Sequence, residues 1–361
     1  MDVTIVGAGV LGVSLAYHLS QQGLKVCVIE RESTVGAHAS GKNAGMFRQL
    51  YKHPQLSEWA LRSKKLWPTE IREKCFQETG SLIFGRVVAE HHRELFEQRD
   101  LEGIPAVYTQ GDGLIDSGTY VQLLAQYAKT YNVEFLLRTA VKSVSQQNGS
   151  WQLECSGNVN IRSAVLVNAA GAWINRILEP LCPVLQKNAE AYARHLFVVC
   201  GWQKNYMPSP NCGYFWDERT AWYMRRWDTQ SRLVSICDYE KAHPDTFVPS
   251  SSTHLELAEK LQKAVPEQYP NLNIARAWHC FRTYTEDKIP IWGEDPDAAG
   301  LFWLAAFGGF GMSTSFAAAY DAAQYIFSGK SSVTTDFYPG RAKGKYNSEI
   351  LADKPKFAVG P

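Results

Sequence analysis

The stretch TIVGAGVLGVSLAYHLSQQGLKVCVIERE, residues 4–32, constrains the fold more than any other part of the chain. Val3 to Val6 reads as a short buried strand. Gly7, Gly9 and Gly12 follow it in the spacing G-x-G-x-x-G. Leu11, Leu15 and Leu19 then recur every fourth residue and mark one apolar face of a helix, which Gly23 ends as a left-handed cap. Lys25 to Glu30 is a second strand. Strand, glycine turn, helix and strand at this tight spacing close as a right-handed, parallel β-α-β unit. Such a turn presents helix amides and the helix dipole to a pyrophosphate. Glu30, 18 residues after Gly12, is placed to accept hydrogen bonds from an adenosine ribose. Ala8, Val10 and Leu11 within the turn, and Arg31 after the carboxylate, are expected to contact the same dinucleotide.

The rest of the chain predicts helices over 57–67 and 120–130 and strands over 81–87, 133–137 and 151–155. A charged surface helix is expected over 90–101. Ala164 to Trp173, AVLVNAAGAW, is a buried strand running into a glycine turn. Residues 183–278 alternate strands with loops, including 198–199, 221–227 and 232–237, and predict an antiparallel sheet. The last quarter repeats the early grammar: the strand GLFWLAA, the turn FGGFG, and an Ala-rich helix over 312–327 that Gly329 ends. The tail from Phe337 is polar and basic and is expected to be loosely held. Nucleotide-type signals at both ends of the chain imply a discontinuous domain. The expected architecture is therefore α/β with antiparallel β. A Rossmann-like cofactor domain (1–80, 112–182 and 280–335) carries an inserted substrate domain (81–111 and 183–279) on a mixed or antiparallel sheet, and a tail (336–361) follows.

Composition removes several function classes. With 37 Lys and Arg against 36 Asp and Glu, the chain lacks the basic excess of an electrostatic nucleic-acid binder. None of its 8 cysteines forms a C-x-x-C pair, so no zinc ribbon or dithiol site is expected, and scattered thiols suit a cytoplasmic protein. No metal cluster, Ser-His-Asp set or paired glycosidase carboxylates is readable. No basic region precedes the first apolar run and no stretch suits a transmembrane helix, so neither leader nor span is expected. Attachment to a membrane surface stays open.

A glycine turn of this kind serves nicotinamide and flavin alike. A nicotinamide dehydrogenase would continue into a second mononucleotide half, whereas this chain enters a small-residue loop over 36–48. The late turn is the other half of the argument. Gly308, Gly309, Phe310, Gly311 and Met312 open a helix whose dipole can stabilise negative charge on a reduced flavin. The segments HASGKNAG, VLVNAAGAW, FRTYTEDKIPIWG and GLFWLAAFGGFGMSTSFAAA, with the N-terminal turn, resemble the D-amino-acid oxidase superfamily of FAD-dependent oxidoreductases. That group includes glycine and sarcosine oxidases and dye-linked D-amino-acid dehydrogenases. The pattern is most similar to the D-arginine-type dehydrogenases. The resemblance implies FAD contacts from Ala39, Ser40, Lys42, Asn43, Ala44, Gly45 and Met46. It implies further contacts from Val141, Ala169, Ala170, Gly171, Trp173, Ser313 and Thr314. His38 is not at the position that covalent members use, so noncovalent FAD is expected.

The resemblance also implies a chemistry: oxidation of a C–N bond in a small amino acid or N-alkyl amino acid. Hydride passes from Cα to flavin N5, and the imine hydrolyses to an oxo acid. Oxygen or another acceptor then reoxidises the flavin. Arg282 is the implied substrate anchor, because a guanidinium grips a carboxylate through two parallel charge-assisted bonds. The competing reading pairs Arg282 with Glu286 or Asp287. Tyr223, on a strand where it shares a face with Arg225, is implied to touch the same carboxylate. Tyr51 matches a lid tyrosine. Met46 stands where D-arginine-type enzymes can carry histidine, which weakens a preference for cationic substrates. Only one of Arg194 and His195 can face the pocket, and His195 is favoured. Tyr214, Trp216 and Trp222 are candidate apolar walls. Two alternatives stay open. One is a 2-hydroxy-acid or glycerol-phosphate dehydrogenase, which needs a positioned base such as His195. The other is a non-catalytic flavin-binding subunit.

Overall fold

A computed structural model describes residues 1–85, 92–101, 103–177, 189–207 and 212–341. Its centre is a six-stranded sheet. The strands run in the order Ile291–Glu294, Leu301–Ala305, Val165–Asn168, Val3–Val6, Val26–Ile29 and Glu134–Leu136. All neighbours are parallel except the first pair. The inner strands are buried on both faces and mostly apolar, as expected when helices cover a parallel sheet. The Val10–Ser20 and Gly311–Ser328 helices share one hydrophobic core with Trp59, Tyr120 and Trp292.

This order puts three loop-bearing strand ends side by side. The Val3–Val6 strand leads into the glycine turn, Val165–Asn168 into Ala169–Gly171, and Leu301–Ala305 into Ala306–Gly309. Ligands in open α/β sheets bind beyond such carboxyl ends. The closeness of two of these loops explains the first glycine: a Cβ on Gly7, at φ +107°, would lie 2.5 Å from the carbonyl oxygen of Ala169. Gly12 is fixed by packing within the turn, where a Cβ would lie 2.0 Å from the Gly7 carbonyl.

A nine-stranded sheet stands beside this one. Its longest pair is Ala189–Cys200 against Asn273–Thr285, antiparallel, with Tyr192 opposite Arg282, Arg194 opposite Cys280 and His195 opposite His279. Ser231–Ser235, Trp222–Arg226, Tyr214–Asp217, Ser81–Phe84, Ile104–Thr109 and Glu97–Leu101 continue the sheet, and the short Glu240–Lys241 strand pairs with the start of Ala189–Cys200. The expected antiparallel sheet is thus mixed in one place, since Tyr214–Asp217 pairs parallel with Ser81–Phe84.

Two local expectations are corrected. Glu97–Leu101 is an edge strand, not the end of a surface helix; pairing with Ile104–Thr109 overrides a charge-rich composition that suits an exposed edge as well as a helix. The start of that segment lies outside the described residues, as do the end of the strand expected over 81–87 and residues 183–188. The tail is not loose where it begins. Phe337 and Tyr338 are fully buried, Phe337 against Trp59 and Tyr338 against Trp292, and Arg341 makes a forked pair with Asp287 at 2.7 and 2.8 Å. Residues 342–361 lie outside the described residues.

Candidate active site

A cavity of about 720 Å³ runs along the carboxyl ends of the parallel strands, a size usual for small-molecule and cofactor sites. At one wall it is lined by Gly7, Gly9, Val10, Leu11, Glu30 and Arg31. The Glu30 carboxylate is held rigid: Oε2 accepts from the Ala8 amide at 2.8 Å and Oε1 from the Glu32 amide at 2.9 Å. Each oxygen keeps a free lone pair for a ribose hydroxyl. Ala8 itself is fully buried and meets the site through that amide and through its carbonyl, which accepts the Gly36 N–H at 2.9 Å. Arg31 stacks 4.0 Å over the Trp173 ring and pairs with Asp245.

The Val10–Ser20 and Gly311–Ser328 helices both begin at this cavity, and neither is capped by the side chain of its own N-cap residue, Gly9 or Phe310, whereas Asp116 caps Ser117–Thr130. Helix starts present a favourable field to anionic groups. Ser40 Oγ takes the Val10 amide at 2.9 Å, tying the small-residue loop to the first turn. From that loop Ala39, Ser40, Asn43, Ala44, Gly45 and Met46 line the cavity, together with Val141, Ala169, Ala170, Gly171 and Trp173. Gly308, Gly309, Phe310, Gly311 and Met312 form the far wall.

Several expected contacts are placed elsewhere. Lys42 faces a separate cleft, and its carbonyl accepts the Trp278 indole N–H at 2.8 Å. Gly12 serves packing. Ser313 and Thr314 lie beneath the turn: Ser313 Oγ accepts the Arg48 amide at 3.0 Å, and Thr314 Oγ1 donates to the Phe310 carbonyl at 3.0 Å.

Arg282 projects into the cavity from near the end of the long strand. Among the described residues it has no carboxylate partner. The competing reading fails because Asp287 pairs with Arg341 instead. Burial works against the Arg282 charge and the surrounding Tyr284, Tyr223, Cys280 and Cys237 groups act in its favour, so its pKa is raised and the guanidinium is protonated. The glycine pair is shaped around this residue. A Cβ on Gly309 would lie 3.0 Å from Arg282 Nη1, and one on Gly308, at φ +46°, would lie 2.1 Å from the Tyr284 ring.

Tyr51 lines the cavity with its ring edge-on to Phe310 at 5.3 Å. Tyr223 does not line it. This tyrosine is buried behind Arg282, with its hydroxyl unpartnered and its pKa raised by burial. Tyr214 and Trp216 are cavity walls, while Trp222 points to the opposite face and packs on Phe215.

The preference for His195 is corrected. Strand register puts Arg194, not His195, on the face that carries Arg282 and Cys280. His195 is 4 % exposed, with Nδ1 bonded to Asp238 at 2.7 Å and its ring near His279 and Phe247. Sequence reasoning missed Arg48, which lines the cavity 4.4 Å over the Tyr51 ring. Its nearness to Tyr51 in the chain was the available signal.

Residues 2–325 match the family model DAO, FAD dependent oxidoreductase. The chain belongs to the DAO family of FAD-dependent oxidoreductases. It is 24% identical to rat mitochondrial dimethylglycine dehydrogenase over 86% of this chain, and spans only 41% of that protein's length. It is 23% identical to monomeric sarcosine oxidase of Bacillus sp. (strain B-0618), covering 91% of this chain and 93% of the oxidase. Two solved structures share the fold. L-proline dehydrogenase from P. horikoshii superposes with a TM-score of 0.81 at 20% identity, over 96% of this chain and 99% of that one. Glycine oxidase from Geobacillus kaustophilus gives 0.76 at 21%, over 94% and 98%. The cavity suits the family's cofactor: a close-approach glycine turn, a fixed carboxylate and two helix starts line one continuous space. No described helix is long and apolar enough to cross a membrane.

Proposed function

We propose that the chain oxidises the C–N bond of a small amino acid or N-alkyl amino acid, with FAD held noncovalently along the cavity. The observation that carries this reading is Arg282, a protonated fork directed into the cavity with no carboxylate of its own. When bound, the flavin supplies the acceptor for the Cα hydride. Arg282 binds the substrate carboxylate through both arms of its fork and so orients the amine. Tyr51, Trp216 and Phe310 form aromatic walls that exclude water from the reacting carbon. Amine oxidation of this kind needs little acid–base machinery, and among the described residues His38 is the only histidine lining the cavity. His38 is engaged by Glu32 at 2.9 Å and packs on Trp173. The sequence limits 1–80, 112–182 and 280–335 for the cofactor domain, and 81–111 and 183–279 for the substrate domain, are retained as part of this proposal.

The names of the similar proteins support an amine substrate: sarcosine, dimethylglycine, glycine and L-proline are all amino acids or their N-alkyl derivatives. The hydroxy-acid alternative loses its base, since His195 is buried away from the cavity against Asp238. The test is an anaerobic screen of flavin reduction across D- and L-amino acids, glycine, sarcosine and proline. Bleaching by at least one amine is expected. Bleaching by lactate or 2-hydroxyglutarate alone would overturn the reading, and so would no bleaching at all. Acid precipitation should release the flavin into the supernatant.

A further inference from the structure

Positive charge around the cavity exceeds what one substrate carboxylate requires. Arg48 and Arg282 bracket a single turn. Arg282 Nη1 lies 3.0 Å from the Cβ position of Gly309, and the Arg48 amide is tied to Ser313 at 3.0 Å. The Arg48 guanidinium sits 4.4 Å over Tyr51 and 5.1 Å from Trp216, an aromatic cradle that orients a cation without neutralising it. The carboxylate nearest in effect to Arg48 is Asp112. It is fully buried and already accepts from the Gln49 amide at 2.8 Å, Ser81 at 2.6 Å and Tyr214 at 2.9 Å. Behind Arg282, Arg194 is 5 % exposed, with Nε and Nη1 unpartnered, and Asp238 on that side is committed to His195.

Arg48 and Arg282 both line the cavity, and among the described residues neither has a carboxylate within ion-pair distance; the buried Asp112 feels the Arg48 charge without pairing with it. A guanidinium taken out of water keeps a desolvation penalty until an anion reaches it. A zwitterion with a single acid group satisfies one guanidinium fork and leaves the other without a direct anionic partner.

We propose that the preferred substrate is an amine bearing two carboxylates, one gripped by Arg282 and the other by Arg48 between Tyr51 and Trp216. This rests on the amine-oxidase reading above and names its substrate class. The second acid group belongs either to the substituent on nitrogen or to the side chain on Cα. Both place two anions around one amine.

The test is equilibrium binding to the FAD-loaded enzyme, read as perturbation of the flavin spectrum by ligands that cannot be oxidised as amines. Thiodiacetate represents a second acid on the nitrogen substituent, and succinate represents one on the side chain. Methylthioacetate and propionate are their single-acid counterparts. At least one diacid should bind 10-fold or more tighter than its counterpart, and Arg48→Met and Arg48→Gln should both erase that gap while retaining flavin. Whichever diacid wins identifies the position of the second group. Equal binding of diacids and monoacids to the wild type would overturn the proposal, and that comparison needs no variant. A gap that survives loss of Arg48, or a loss of Arg48 that weakens monoacids equally, would overturn it as well. The outcomes separate the two readings. Selective diacid binding with no amine able to bleach the flavin removes the proposed activity alone. Bleaching by amines without diacid preference removes the second carboxylate alone.

Discussion

Arg282 lies against Gly309 so closely that its Nη1 stands 3.0 Å from the place where a Gly309 side chain would begin. The late glycine pair is therefore explained by two side chains, Arg282 and Tyr284, as much as by any approach to a cofactor. Gly309→Ala should push the flexible end of Arg282 aside and weaken carboxylate binding about 10-fold, with flavin content unchanged. Gly308→Ala meets a buried ring at 2.1 Å in a left-handed conformation and has nowhere to go. It should cost about 3 kcal/mol of stability by overpacking and backbone strain, measured by denaturant unfolding. Equal effects of the two substitutions on carboxylate affinity would contradict this division of labour.

Replacing Arg282 by Met removes two charge-assisted bonds to the substrate. At about 1.5–3 kcal/mol for each bond to a charged group, kcat/KM should fall by roughly 100-fold or more. Arg282→Lys should recover only part of the loss, because a single ammonium cannot reproduce the fork. Steady-state kinetics at saturating acceptor would show it, and unchanged kcat/KM in Arg282→Met would rule the anchor out.

His18 gives the fold a pH dependence unrelated to catalysis. It is buried on the first helix, its Nε2–H donates to the Phe316 carbonyl at 3.1 Å, and burial depresses its pKa from 6.5 to about 3. Because the folded value is the lower one, the unfolded chain binds the extra proton between those limits. The contribution of His18 is complete above pH 6.5 and is lost as the pH falls toward 3. The full effect is on the order of 5 kcal/mol. His18→Gln should flatten the decline of Tm between pH 6.5 and 4, and a parallel decline in both proteins would contradict the assignment.

Asp321 ties the Pro54–Leu66 helix to the Gly311–Ser328 helix. It accepts the Trp59 indole N–H at 2.8 Å and both arms of Arg62 at 2.9 and 2.7 Å. Asp321→Ala leaves a buried indole donor and a half-buried guanidinium without their acceptor. A loss of about 2–3 kcal/mol is expected once the exposure of Arg62 is discounted. Adding Arg62→Met should return part of it, so the double mutant should be less destabilised than the sum of the singles, as a double-mutant cycle would measure.

The sequence by itself determined the features that are local. Gly7, Gly9 and Gly12, the apolar strands on either side and Glu30 encode one turn and its flanking periodicities, and each acts within a few residues of itself or across one short crossover. The FGGFG turn was legible for the same reason, whereas the role expected of Arg282 came from the family resemblance alone. Only the tertiary structure decided which faces meet. His195 and Arg194 alternate on one strand, and nothing near them in the chain says which looks toward the cavity; pairing with Cys280 and His279 decides it. Lys42 has the right charge in the right loop, yet the fold places it at another cleft. Phe337 and Tyr338 sit in a stretch read as loose but dock into the core beside Trp59 and Trp292. Arg48 becomes a cavity residue because Trp216 and Ser313 arrive beside it from two distant segments, while Tyr51 comes from its own. Periodicity and turn chemistry are written along the backbone, whereas burial and charge balance belong to neighbours that only strand register and packing bring together.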